Sequence, residues 1–300
     1  MKLDPALLAR LGTLPVKARV IVESALSGMH RARLHGSSVE FAEHKEYSPG
    51  DELRHIDWKA LAKLDRYYVK QFEQESQLTA YLVLDASASM RFAGAGMSKV
   101  EYGGLALAAL AYLVSQQQDK IGLYAFGPRP APLHVPPRAK GNHLADVLAV
   151  LETAIGDAGT GDASPADALD RIGELARRRR ALVVLASDLF DPDDRTLPAL
   201  RRLRALRHDV VVLHVLAPEE RTLPYEGLTL FEALEGDHKL LANPSAIRAD
   251  YVAKMDAFLA RVADELGRAG VDYHLAETTR PLDETLLALV AARRGPRERR

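Results

Sequence analysis

Five short apolar runs separated by helix-length segments constrain the fold of this chain more than any other feature of it. The runs are Ala80–Leu84, Ile121–Phe126, Ala181–Ala186, Val210–Leu216 and Val271–Leu275. Each is short and apolar on both pleat faces, the pattern of a strand buried on two sides. Helical spacing fills the intervals: Lys99–Gln116, Asn142–Ile155, Pro165–Arg178, roughly Arg195–Leu206, Pro244–Ala269 and Leu282–Arg293. Gly103-Gly104 would let the first of these helices approach the sheet closely. Strands alternating with helices imply βαβ units, and right-handed crossovers place helices on both faces. The expected fold class is therefore α/β, a doubly wound and mainly parallel sheet.

Two stretches break the alternation. Residues 31–78 are polar, rich in turn signals, and include an extended run from Tyr67 to Phe72. They are expected to form a small β-rich lobe. Residues 221–242 read as a β-hairpin inserted in the main domain, with Gly227 and Gly236-Asp237 as turn candidates. The division expected is a helical segment over 1–30, the β-rich segment over 31–78, the α/β domain over 79–295, and a basic tail over 296–300.

Composition excludes several classes. Forty Lys and Arg face 41 Asp and Glu, so no net field favours nucleic acid. Cys is absent, which removes disulfides, thiolate metal sites and cysteine nucleophiles together. The first residues contain Asp4, Arg10, Lys17 and Arg19 where a signal peptide needs an apolar region. The longest apolar run, Leu105–Val114, is about half of the ~20 residues that cross a bilayer. A cytoplasmic protein without a membrane span is expected.

Chemistry concentrates where the strands end. Asp85-Ala86-Ser87-Ala88-Ser89 follows the first apolar run, and the third runs straight into Ser187-Asp188. In doubly wound sheets ligands bind beyond the carboxyl ends of the strands. Between these sites lies Gly159-Thr160-Gly161-Asp162-Ala163-Ser164. Hydroxyls and carboxylates without imidazole or thiolate form an oxygen-only set, which suits Mg²⁺ or Mn²⁺. Asp and Ser also cap helices and shape turns, so the D-x-S-x-S spacing alone is not specific. Its strand-end position, the second Asp and the hydroxyl-rich loop raise the metal reading above capping. Ser164 has a rival role, because Ser164-Pro165 fits the start of a helix.

The set D-x-S-x-S, a later Thr and a later Ser-Asp resembles the metal ion-dependent adhesion site of von Willebrand factor A domains. A longer pattern precedes and follows it. His35-Gly36-Ser37, Glu40-Phe41, Tyr47-Ser48-Pro49-Gly50-Asp51, Arg54, Ile56-Asp57-Trp58, Tyr68-Val69-Lys70 and Glu75 come first. Asp119–Leu123 and Asn243-Pro244, Ile247-Arg248 and Tyr251 come later. Together these resemble the bacterial family catalogued as domain of unknown function fifty-eight. The resemblance implies a von Willebrand factor A-like fold and a MoxR-type AAA+ ATPase as partner, acting on an unknown client protein. It also implies metal contacts from Asp85, Ser87, Ser89 and Asp188, with Thr160 or Ser164 in the third motif position.

Other residues have plainer readings. Asp51, Arg54 and Asp57 suit an ion network and Trp58 a packing anchor, with a partner-binding surface as the alternative. His30, His35, His44 and His55 match no zinc spacing, and the Arg177–Arg180 run sits at a helix end where cations complement the dipole. No phosphate-binding loop of P-loop type and no G-x-S-x-G elbow occurs. The function expected is a metal-dependent interaction module and not an enzyme. Its rivals are a metal-dependent phosphoesterase using Asp85 and a structural scaffold with a degenerate metal site.

Overall fold

The computed structural model describes residues 8, 12–33, 45–46, 68–69, 78–127, 129, 131–157, 164–190, 194–234 and 239–292. By internal packing the chain divides into Met1–Gly28 with Leu78–Arg300, and Met29–Gln77. In the smaller unit the described residues form an antiparallel pair, β1 (Lys45–Glu46) and β2 (Tyr68–Val69).

The larger unit is a mixed α/β structure around one six-stranded sheet. Its strands are β3 (Thr79–Asp85), β4 (Lys120–Phe126), β5 (Leu133–Arg138), β6 (Leu182–Ser187), β7 (Asp209–Leu216) and β10 (Asp272–Glu277). They lie in the order β10-β7-β6-β3-β4-β5, all parallel except β5, which pairs antiparallel with β4 at the edge. The five apolar runs are thus the five parallel strands. Strand β5 (LHVPPR) is additional. Its two prolines cannot donate to a ladder, which confines such a segment to an edge, and the pairing with β4 contains a register shift.

Successive side chains of a strand face opposite ways, and here each way leads to a separate core. Leu82, Leu84, Val184, Leu213 and Val215 pack beneath helices α1 (Leu14–Arg33), α2 (Lys99–Gln116), α3 (His143–Gly156) and α8 (Leu282–Ala292). Val83, Leu185 and Val212 pack beneath α4 (Pro165–Leu175), α5 (Thr196–Ala205) and α7 (Pro244–Arg268) on the other face. Helix α2 is buried almost all round because it crosses the sheet centre. A Cβ on Gly103 would stand 3.2 Å from the Ala186 methyl, which shows how closely that helix lies on β6.

The inserted segment contains the expected hairpin, β8 (Thr229–Glu232) and β9 (Lys239–Ala242), joined antiparallel. The turn candidate Gly236-Asp237 lies outside the described residues. A five-residue helix, α6 (Pro218–Thr222), precedes the hairpin and was not expected. Helix α4 ends at Leu175, short of Arg178. No helix among the described residues is long and apolar enough to cross a membrane.

Candidate metal centre

The chain leaves β3 to build β4 and β5 on one side, then returns to place β6 on the other. The carboxyl ends of β3 and β6 therefore flank the point where strand order reverses, and the candidate residues gather there. Leu84 pairs with Ala186, so Asp85 and Ser187 emerge side by side. Ser187 Oγ donates to Asp85 Oδ2 at 2.7 Å, and the Ser87 backbone N–H donates to Asp85 Oδ1 at 3.0 Å. The second bond folds the motif back on itself, so that Ser87 Oγ and Ser89 Oγ stand 3.1 Å apart. Ser89 opens a 3₁₀ turn, Ser89–Arg91. Arg91 pins that turn by donating to the Ala154 carbonyl at 2.9 Å and also to the Ile155 carbonyl.

Gly127, directly after β4, shapes the loop from behind. It adopts φ +87°, and a Cβ there would lie 2.5 Å from the Ser87 nitrogen. Only a residue without a side chain lets β4 pass so near the motif.

Asp188 stands at the same edge with an unexpected partner. Its Oδ1 accepts from Phe190 N–H at 3.1 Å, while its Oδ2 accepts from Lys99 Nζ at 2.8 Å. Lys99 also donates to Glu220 Oε1 at 2.6 Å. The Lys99 and Asp188 side chains are 2% and 4% exposed, so this ion pair is shielded from solvent screening. Lys99 is the first residue of α2, where the helix dipole disfavours a cation. Burial also pulls its ammonium pKa down, yet Asp188 and Glu220 outweigh burial and hold it above the ordinary lysine value.

Asp85 is shifted the opposite way from a surface carboxylate. Burial, and then the nearby charge of Asp188, push its pKa up to about 7 against the hydrogen bonds from Ser87 and Ser187. Asp85, Asp188 and Glu220 bring three carboxylates against the single ammonium of Lys99, so the ionised cluster retains two negative charges. A buried cluster of that sign is one that a cation would stabilise. Among the described residues no three His, Cys, Asp or Glu side chains gather at metal-binding distance. An ion held here would therefore draw on hydroxyl, carboxylate and water oxygens, the donor set that hard cations accept.

The fold thus brings Asp85, Ser87, Ser89 and Asp188 to one sheet edge. Ser164 caps α4, its Oγ accepting from Ala166 N–H at 3.1 Å. Thr160 lies outside the described residues, as do Asp51, Arg54, Asp57 and Trp58. Lys99, Glu220 and Gly127 were missed by reading the sequence. The available signal was a lysine opening an otherwise apolar helix, MSKVEYGGLALAALAYLV, where a solvated cation would be expected further along.

A mainly parallel sheet covered on both faces, with an oxygen-lined crevice at its switch point, defines a doubly wound α/β protein. More particularly, the chain belongs to the family described as "Protein of unknown function DUF58", whose model matches residues 43–258. It is 32% identical over 298 residues to an uncharacterized protein of Mycobacterium tuberculosis, Rv1480, covering 97% of this chain and 91% of that one. The uncharacterized Mycobacterium bovis protein Mb1516 matches to the same extent. Among solved structures, BatB from Bacteroides thetaiotaomicron aligns with a TM-score of 0.45 at 16% identity, covering 73% of this chain and 100% of that one. An aerotolerance-related membrane protein from Bacteroides fragilis aligns with a TM-score of 0.46 at 14% identity, covering 70% of this chain and 96% of that one.

Proposed function

We propose that this protein is a von Willebrand factor A-type, metal-dependent protein–protein interaction module. In this reading it works in the cytoplasm as an adaptor between a MoxR-type AAA+ ATPase and a client protein. The observation that supports it is the pairing of Ser87 and Ser89 hydroxyls with the buried, charge-strained Asp85 at the switch point. Mg²⁺ or Mn²⁺ bound there would offset the two net negative charges of the cluster and would present an open coordination position to a carboxylate of the partner. Ser87 and Ser89 would touch the ion. Asp85, already bonded to Ser87 and Ser187, and Asp188, bonded to Lys99, would hold coordinated water.

Binding without catalysis fits the same geometry. Asp85 is 1% exposed and both its oxygens accept hydrogen bonds, which leaves a poor nucleophile for phosphoryl transfer. The test is the affinity of the full chain for a MoxR-type ATPase of the same genome, measured in millimolar Mg²⁺ and in EDTA. Asp85→Ala, with its circular dichroism unchanged, is expected to weaken binding at least tenfold in Mg²⁺, to the level of the wild type in EDTA. Binding that survives both treatments would contradict the proposal.

A further inference from the structure

The run Arg177–Arg180 reads in the sequence as the close of a helix, yet α4 ends at Leu175 with no basic residue in its last turn. The four arginines stand in the connection from α4 to β6, and all four are exposed. The connection from α5 to β7 lies directly against it. Ala181 N–H donates to His208 Nδ1 at 3.2 Å, and Asp209 N–H donates to the Ala181 carbonyl at 2.9 Å. Arg204, in the last turn of α5, and the exposed Arg207 belong to this second connection. Six arginines therefore share two adjoining turns at the amino ends of β6 and β7. The candidate metal centre lies at the other end of β6, about 20 Å away for a strand of six residues.

Charge at these turns is unbalanced. Arg180 donates to Asp209 Oδ1 at 2.8 Å, and Arg204 stands 3.4 Å from the same oxygen. Arg177, Arg178, Arg179 and Arg207 form no ion pair among the described residues. Neighbouring arginines are matched one to one: Arg201 with Glu265, Arg202 with Asp170 and Arg268 with Asp264. Asp272, exposed at the start of the adjacent β10, is a second carboxylate at this edge. Six positive charges thus meet two negative ones. A helix end calls for roughly half a charge, so the dipoles of α4 and α5 account for only part of the excess. Leu206 leans on Gly173 of α4 between the two turns and is still 52% exposed.

We infer that these turns bind an acidic segment of a partner protein, its Asp and Glu carboxylates in the arginine forks and an apolar side chain over Leu206. A guanidinium presents paired N–H donors that match a carboxylate, and neither turn contains a lysine. Nucleic acid and anionic membrane fit less well. Both are gathered by fields that reach beyond contact, whereas this chain has a net charge of -1 and carboxylates neutralise the arginines flanking the turns. The inference does not rest on the metal reading. It supplies a second surface, which an adaptor needs, and leaves the crevice at the other edge free.

Arg207 provides the test. It stands at φ +66°, and His208 N–H bonds to the Leu203 carbonyl. Gly270 fills the equivalent place after α7, at φ +71° with Val271 N–H on the Leu266 carbonyl. Glycine is the residue this kind of helix end favours, so Arg207→Gly is expected to melt no lower than the wild type while losing one charge. A double variant, Arg178→Ala with Arg179→Ala, removes two exposed charges. Arg129→Ala controls for net charge, since Arg129 pairs with Asp157 beyond the carboxyl end of β4. The full chain would be titrated with a fluorescein-labelled peptide of glutamates around one leucine, and with its glutamine counterpart. Only the glutamate peptide should bind. Arg207→Gly should weaken it about threefold and the double variant about tenfold, the scale of exposed ion pairs, with Arg129→Ala unchanged. No binding of the glutamate peptide, unchanged affinity in both cluster variants, or an equal loss in Arg129→Ala would overturn the inference. Tighter binding of a phosphoserine peptide, of single-stranded DNA or of phosphatidylserine vesicles would overturn it in favour of a phosphate ligand. A dimer in sedimentation that Arg207→Gly dissolves would overturn it in favour of a second copy of the chain.

Discussion

Lys99→Met is expected to destabilise the protein by about 3 kcal/mol, because it strips the counter-ion from a buried cluster. Removing one partner of a buried ion pair typically costs ~3–5 kcal/mol, since the remaining charge stays desolvated. The low end applies here because the Glu220 side chain is 25% exposed and can turn to water, whereas that of Asp188 is 4% exposed and held by Phe190. Met matches the aliphatic length of Lys, so the loss reports charge and not a cavity. Urea unfolding measured in EDTA checks the value. Affinity for a divalent cation should change in the opposite direction. Without the ammonium, Asp85, Asp188 and Glu220 form a more negative cluster, so Mg²⁺ should bind the variant more tightly than the wild type. A ligand that binds only the folded state stabilises it by mass action, and millimolar Mg²⁺ should therefore recover part of the lost stability. A loss below ~1 kcal/mol would mean that the pair contributes no more than an exposed salt bridge.

Gly127→Ala is expected to cost roughly 2–5 kcal/mol and to abolish the response to metal. The left-handed backbone contributes roughly 1–2 kcal/mol for any residue with a Cβ. The remainder comes from contact, since the new methyl would stand 2.5 Å from the Ser87 nitrogen and 2.7 Å from its Cα. Overpacking of that kind costs ~1–3 kcal/mol, and the backbone forced to move is the one that sets the spacing of Ser87 and Ser89. Gly141 supplies the control. Its φ is +78° but nothing lies within 4 Å of the position a Cβ would take. Gly141→Ala should therefore lose only the backbone component and keep the metal response. Equal losses in the two variants, or a normal metal response in Gly127→Ala, would contradict the account of the loop.

The parallel strands were legible because each is a short apolar run, and burial on both faces leaves no polar residue to blur it. The bounds of α2 were legible too, Ser98 capping its start and Gln117 and Gln118 following its end. Strand β5 was not, since Val135 is its one buried residue and Pro136-Pro137 argues against a strand. Helix α6 is too short for any periodicity to register, and Glu220 caps its start by accepting from Ala217 N–H. At the candidate metal centre, Asp85, Ser87, Ser89 and Asp188 could be assembled from the sequence because strand ends meet at a known edge of such sheets. Lys99 could not, because its partners lie 89 and 121 positions away and come together only through packing. Gly127 was hidden for the same reason, as its close neighbour Ser87 belongs to a different strand connection.

The most direct test of a metal-dependent module is a thermal melt at pH 8, where Asp85 with its pKa near 7 is ionised. Wild type and Asp85→Ala would be compared in EDTA and in millimolar Mg²⁺ or Mn²⁺. The account predicts a higher melting temperature for the wild type in the divalent cation and the same temperature for the variant in both buffers. A wild type indifferent to both cations, or a variant stabilised as much as the wild type, would contradict it.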